Sequence, residues 1–119
     1  MRLEEAPRMI MLHDFYGGLL TDRQQKIVAS YYGDDMSLSE IAEEMGISRQ
    51  GVHDALRKAA AALEEYEAKL RLLGKFRSAE AAVDAVKREL DGLIGEAGGH
   101  EAFRARLSAV RNIIEDLEI

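Results

Sequence analysis

The sequence predicts an all-α protein, and three observations carry that prediction. Apolar residues recur at alternating spacings of four and three, as in Val52, Leu56, Ala59, Leu63, Tyr66, Leu70 and Leu73. Thr or Ser precedes Gln or Glu by three positions at Thr21–Gln24 and Ser37–Glu40, the sequence mark of a capped helix start. Ala, Leu, Glu, Lys and Arg are abundant and proline occurs once, at Pro7, so helix propensity is high throughout.

A first helix is expected from Pro7 to Tyr16, because proline is tolerated where its missing N–H has no partner to lose. Met9, Leu12, Tyr16 and Leu19 form its apolar stripe. Gly17 and Gly18 end it by taking the left-handed backbone of a C-cap. Thr21 caps a second helix, Asp22 to Tyr32, with Ile27, Val28 and Tyr31 on its buried side and a turn at Gly33-Asp34-Asp35. Ser37 caps a short third helix, Leu38 to Met45, broken by Gly46. Ser48 caps a long fourth helix that ends at Gly74. Ser78 caps a fifth helix, with Ala79, Val83, Val86, Leu90 and Leu93 as its seam. Gly95–Gly99 is a loop, and a sixth helix carries Phe103, Leu107, Val110, Ile114 and Leu117. No internal repeat of the solenoid kind is visible.

Residues 38–56 carry the sharpest signal, which is that of a helix-turn-helix. Ala42 is small where the second helix must cross closely, and Gly46 stands where the tight turn needs a positive φ. Ile41, Met45, Ile47 and Val52 fill the wedge between the helices. Val52, Leu56 and Ala59 face inward, which leaves Arg49, Gln50, His53, Asp54 and Arg57 outside. Arg pairs with guanine and Gln with adenine in the major groove, and Ser48 and Lys58 are placed for phosphates. The alternative is an ordinary solvated helix face. Between positions 37 and 72 five basic side chains meet seven acidic ones, and helix-turn-helix units also serve as protein-binding scaffolds.

Composition narrows the remaining classes. No cysteine is present, which excludes a disulfide scaffold and a thiolate zinc site and agrees with a cytoplasmic address. No apolar run is long enough to span a bilayer, so no membrane insertion is expected. The acidic start, Met1-Arg2-Leu3-Glu4-Glu5, does not have the form of a secretory leader. A net charge of −6 argues against strong sequence-independent binding to nucleic acid but leaves room for a local basic face. His13, His53 and His100 fall in three different elements without metal-ligand spacing, and no glycine-rich loop with a lysine exists for phosphate. The acidic pairs Asp34-Asp35, Glu43-Glu44 and Glu64-Glu65 diverge on a helix rather than converge on a substrate. Phe15, Tyr16, Tyr31 and Tyr32 suit a core better than a base-stacking platform. No cofactor and no enzymatic site are expected.

Two blocks, occurring in order, resemble a known family. They are His13-Asp14-Phe15-Tyr16-Gly17-Gly18-Leu19-Leu20-Thr21-Asp22-Arg23-Gln24, and Tyr31 through Glu44 continued by Gly46-Ile47-Ser48-Arg49-Gln50. Together they resemble the YlxM family of helix-turn-helix proteins, over roughly residues 1–76. More distantly they are similar to region four of bacterial sigma factors. The resemblance implies a sigma-region-4-like bundle in a bacterial, cytoplasmic protein. It also implies a regulatory or accessory role beside the signal recognition particle, its GTPase and its receptor. Gly51 departs from the alanine expected there, His13 replaces an apolar residue, and the tail beyond Ser78 matches the family only in being helical.

The expected organisation is therefore a helix-turn-helix domain over 1–76 and a C-terminal helical hairpin over 77–119, the latter a dimerisation arm. The leading expectation is a nucleic-acid-binding regulator, contacting DNA or RNA through Ser48, Arg49, Gln50, His53, Asp54, Arg57 and Lys58. The alternative is an adaptor that docks on the signal recognition particle GTPase or its RNA without binding DNA. A homodimer is expected because the seams of the last two helices, with Tyr66, Leu70 and Leu73, exceed what one small monomer buries.

Overall fold

The computed structural model describes residues 5–117; positions 1–4 of the acidic start lie outside the described residues. It contains six α-helices: α1 (Glu5–Tyr16), α2 (Asp22–Val28), α3 (Leu38–Met45), α4 (Arg49–Leu70), α5 (Leu72–Glu96) and α6 (Glu101–Glu115). The fold is all-α, as the apolar spacing predicts. The chain divides into two compact units, Met1–Leu73 and Gly74–Ile119.

In the first unit α1, α2 and α3 all pack on α4. The reason is in α4 itself, where Val52, Leu56, Ala59 and Leu63 lie along one line and are all buried. Met9, Leu12 and Tyr16 from α1, Ile27 and Val28 from α2, and Ile41 and Ala42 from α3 close over that line. Both expected capping boxes form: Thr21 with Gln24, and Ser37 with Glu40. Each side-chain oxygen accepts from a backbone N–H that the helix start would otherwise leave without a partner.

Several expectations need correction. Gly17 and Gly18 do not adopt positive φ; α1 instead tightens into a 3-10 turn over Gly17–Leu19. The tighter winding turns Leu19 out to 57% exposure and brings Leu20 into the core in its place. A Cβ on Gly17 would lie 2.9 Å from the His13 ring, so the imidazole would have to shift to admit one.

The second helix stops being α-helical at Val28. The turn Ala29–Gly33 widens, closed by an N–H of Asp34 donating to the carbonyl of Ala29 at 2.9 Å. Such a turn inserts one residue into the helical register. Tyr32 is therefore the buried tyrosine, while Tyr31 is only half-buried and meets its ring edge-to-face at 5.0 Å.

The largest difference lies after α4. The helix ends at Arg71, which takes a left-handed φ of 57°, rather than at Gly74. α5 restarts at once at Leu72, so Gly74 and Ser78 lie inside it and Ser78 caps nothing. The early stop has a physical cause in the first unit. The Tyr16 hydroxyl accepts from the Leu72 N–H at 2.9 Å, and a Glu67 carboxylate oxygen accepts from the Leu73 N–H at 2.9 Å. These groups satisfy the opening amides of α5, and Leu73 is buried in the first unit's core. Leu73 is thus not available to a dimer contact, and Tyr66 is half-buried against the same core.

The second unit is a two-helix hairpin. Gly95 belongs to α5 rather than to the loop, and the reversal is confined to 97–100, with Gly98 at a φ of 56°. Arg111 bridges to Asp91 at 2.8 Å and Lys87 reaches Glu115 at 3.3 Å, fixing the antiparallel register.

Candidate nucleic-acid interface

The helix-turn-helix is built by α3, the turn at Gly46–Ser48, and the start of α4. Gly46 has φ 69° and ψ 32°. The N–H of Ile47 donates to Ala42 at 3.1 Å and that of Gly46 to Glu43 at 3.4 Å. This paired arrangement ends a helix through one left-handed residue, and only glycine takes it without steric cost. Ile41, Ala42 and Val52 are buried in the wedge, while Met45 and Ile47 pack against it half-buried.

Ser48 then starts α4. Its Oγ accepts from the Gly51 N–H at 2.9 Å. The hydroxyl is a cap first, and only its hydrogen is left to donate to a phosphate. The Gly51 backbone sits close beneath it: a Cβ there would be 3.1 Å from that Oγ.

The remaining side chains lie on the outward part of α4. Arg49, Gln50, His53, Arg57 and Lys58 are exposed and Asp54 is half-buried. Arg49, His53 and Arg57 follow one another at intervals of four, which places them in one line along the helix. Gln50 Nε2 donates to Asp54 Oδ1 at 3.0 Å, and the His53 Nδ1 lies 3.8 Å from the same oxygen. Asp54 therefore orders its neighbours and offers no donor to a base or a phosphate. Among the described residues Arg49, Arg57 and Lys58 take part in no ion pair.

Charge is unevenly placed along α4. Its first ten residues, 49–58, hold Arg49, Arg57 and Lys58 against Asp54 alone. The later part holds Glu64, Glu65 and Glu67, each occupied within the first unit. Arg8 grips Glu64 through two contacts of 2.8 and 2.7 Å, Lys69 pairs with Glu65 at 3.1 Å, and Tyr16 donates to Glu67 at 2.6 Å. The Arg8 guanidinium holds the Glu64 carboxyl below the usual carboxylate range. On α3, the Glu40 carboxyl is lowered by the Ser37 backbone N–H of the capping box, while Glu43 and Glu44 remain exposed. The local balance of five cations to seven carboxylates thus resolves into a basic helix start and an acidic remainder.

A helix-turn-helix on a chain of this kind matches one protein family over residues 3–94, described as "Putative helix-turn-helix protein, YlxM / p13 like". The chain belongs to that family, UPF0122. A UPF0122 protein of Lacticaseibacillus casei is 50% identical over 86 residues, 72% of this chain and 76% of the relative. One from Bacillus cereus strain AH187 is 49% identical over 116 residues, 98% of this chain and 99% of the relative. A third, from Symbiobacterium thermophilum, is 38% identical over 115 residues, 97% and 96% of the two chains. The similarity therefore runs well beyond residue 76, where the sequence motifs stop, and the hairpin is part of the UPF0122 relationship. Helical repeats of Ala, Leu and Glu carry no short motif, which is why the motifs alone miss it.

Sequence reasoning also misses the residues that hold α1 to α4. Arg8 and Glu64 are 56 positions apart and Tyr16 and Glu67 are 51 apart. Nothing local marks either pair. No helix among the described residues is long and apolar enough to cross a membrane.

Proposed function

We propose that this UPF0122 protein is a non-enzymatic regulator that binds DNA in the major groove through the start of α4. The observation that carries the reading is the uneven charge of that helix. Its exposed cations stand at the helix-turn-helix end, and its carboxylates are occupied elsewhere. Arg49, Gln50, His53 and Arg57 supply base-edge donors and acceptors, and Lys58 with the Ser48 hydroxyl supplies phosphate contacts. Asp54 holds Gln50 in place. The process we assign to it is the signal recognition particle pathway, on the strength of the family resemblance, in the bacterial cytoplasm.

The test is selection of bound fragments from sheared genomic DNA at one near-physiological salt concentration. Enrichment of a single motif, lost in Arg49→Ala, supports the reading. Retention of the same motif by Arg49→Ala rejects the assignment of that residue.

A second reading has one observation in its favour. The exposed Glu43 and Glu44 of α3, with a chain charge of −6, suit a protein partner better than a phosphate backbone. In that reading the same surface docks on the targeting GTPase or its RNA. Binding that barely weakens with salt favours a protein partner, because phosphate contacts lose affinity steeply with salt.

A further inference from the structure

Each helix of the C-terminal hairpin carries two apolar seams, and the hairpin uses only one of each. The inner seam of α5 is Val83, Lys87, Leu90 and Ile94, continued by Ala97 of the reversal; that of α6 includes Leu107, Arg111 and Ile114. These residues are buried or half-buried, and the Lys87–Glu115 and Arg111–Asp91 bridges close one flank of the hairpin.

The outer seams lie on the opposite flank. On α5 the series Ala79, Ala82, Val86, Glu89 and Leu93 alternates spacings of three and four, and every member is exposed. On α6 and just beyond its end the series Phe103, Arg106, Val110, Ile113 and Leu117 does the same, with Phe103 57%, Ile113 71% and Leu117 56% exposed. Among the described residues of this unit only Leu90 and Ala97 are buried, so the hairpin has almost no core of its own.

Each outer seam contains one charge, and the two are opposite: Glu89 on α5 and Arg106 on α6. Among the described residues neither forms an ion pair. Within one chain the hairpin register keeps them apart, since Asp91 faces Arg111 and Lys87 faces Glu115. A second chain can bring them together.

We propose that the outer flank is the contact between two copies of this chain, with α6 of one lying parallel to α5 of the other. Setting Arg106 opposite Glu89 of the second copy places Phe103 against its Val86 and Val110 against its Leu93, because all three pairs share one sequence separation. A two-fold axis repeats these contacts and yields a four-helix arrangement, the isologous form expected of a homodimer. The single charge on each seam selects this register over slipped ones.

The test is sedimentation of the full chain across micromolar concentrations, with helical content followed by circular dichroism. Wild type is expected as a dimer. Arg106→Glu and Glu89→Arg should each raise the dissociation constant at least roughly tenfold, and the double reversal should return it to within about threefold of wild type. Phe103→Ser should weaken the dimer without altering charge. All three substituted positions are exposed, so helical content should hold. A fully helical wild type that stays monomeric up to about 100 μM overturns the proposal. So does a dimer indifferent to both charge reversals, or a double reversal no tighter than the singles.

Discussion

The Tyr16 hydroxyl donates to the Glu67 carboxylate at 2.6 Å and accepts from the Leu72 N–H at 2.9 Å, so one phenol ties α1 to the end of α4 and the start of α5. Removing it leaves a carboxylate and an amide each short of a partner. Tyr16→Phe should lower the melting temperature by roughly 5 °C, measured by thermal denaturation. Burial, and then the bond to Glu67, push the phenol above its ordinary pKa of 10.0. A raised acid favours the folded state below the unfolded pKa. Stability from this group is therefore complete below about pH 10 and falls as pH rises beyond it. The Phe variant should lack that alkaline decline.

Arg8 and Glu64 predict the acid limb. The paired Glu64 carboxyl sits below its usual 4.5, so its contribution is present above that value and lost as pH falls through the lowered pKa. Urea titrations between pH 7 and 3 should show Glu64→Gln losing less stability than wild type over the acid part of that range. Glu40 and Glu115 are lowered too and account for decline that remains. At neutral pH Arg8→Ala should cost no more than about 1 kcal/mol, because both side chains are partly solvated.

The two glycines of the helix-turn-helix should respond in opposite directions. Gly46→Ala meets no neighbouring atom but must hold a left-handed backbone, which costs about 1–2 kcal/mol. Gly51→Ala gains helix propensity, of order 1 kcal/mol, against a 3.1 Å approach to the exposed Ser48 hydroxyl. That hydroxyl needs to give by only a few tenths of an ångström, which keeps its bond from the residue-51 N–H, so the net effect should be a gain below about 1 kcal/mol. Denaturant midpoints for the two variants decide the matter.

Inward and outward positions of α4 should separate stability from binding. Leu56→Ala removes a fully buried side chain and should cost about 2–5 kcal/mol. Arg57→Ala, one residue along, should change stability by less than about 0.5 kcal/mol. If the α4 face binds DNA, Arg57→Ala should weaken retention by about 1–3 kcal/mol in a filter or anisotropy assay. Unchanged retention would remove Arg57 from the interface.

Local chemistry was legible in the sequence and long-range chemistry was not. The caps at Thr21, Ser37 and Ser48, the left-handed Gly46 and the bounds of α3 all follow from residues within four positions of one another. The same reasoning placed Val52, Leu56 and Ala59 inward and Arg49, Gln50, His53 and Arg57 outward, while Asp54, expected outside with them, is half-buried. It failed where a distant side chain decides the backbone. Arg71, not Gly74, ends α4, because Tyr16 and Glu67 supply partners for the next two amides. It failed again at Ala29–Gly33, where one extra residue in the turn exchanges Tyr31 for Tyr32 in the core. For the interface, residue type and face could be read, but not that Gln50 and His53 both lean on Asp54.

The close seating of the His13 ring over Gly17 makes the residues tolerated at these two positions depend on each other. With the imidazole in place, any side chain at 17 starts from a 2.9 Å overlap, whereas a smaller residue at 13 removes the obstacle first. A side chain at 17 therefore asks either for a turn of the imidazole or for a smaller residue at 13.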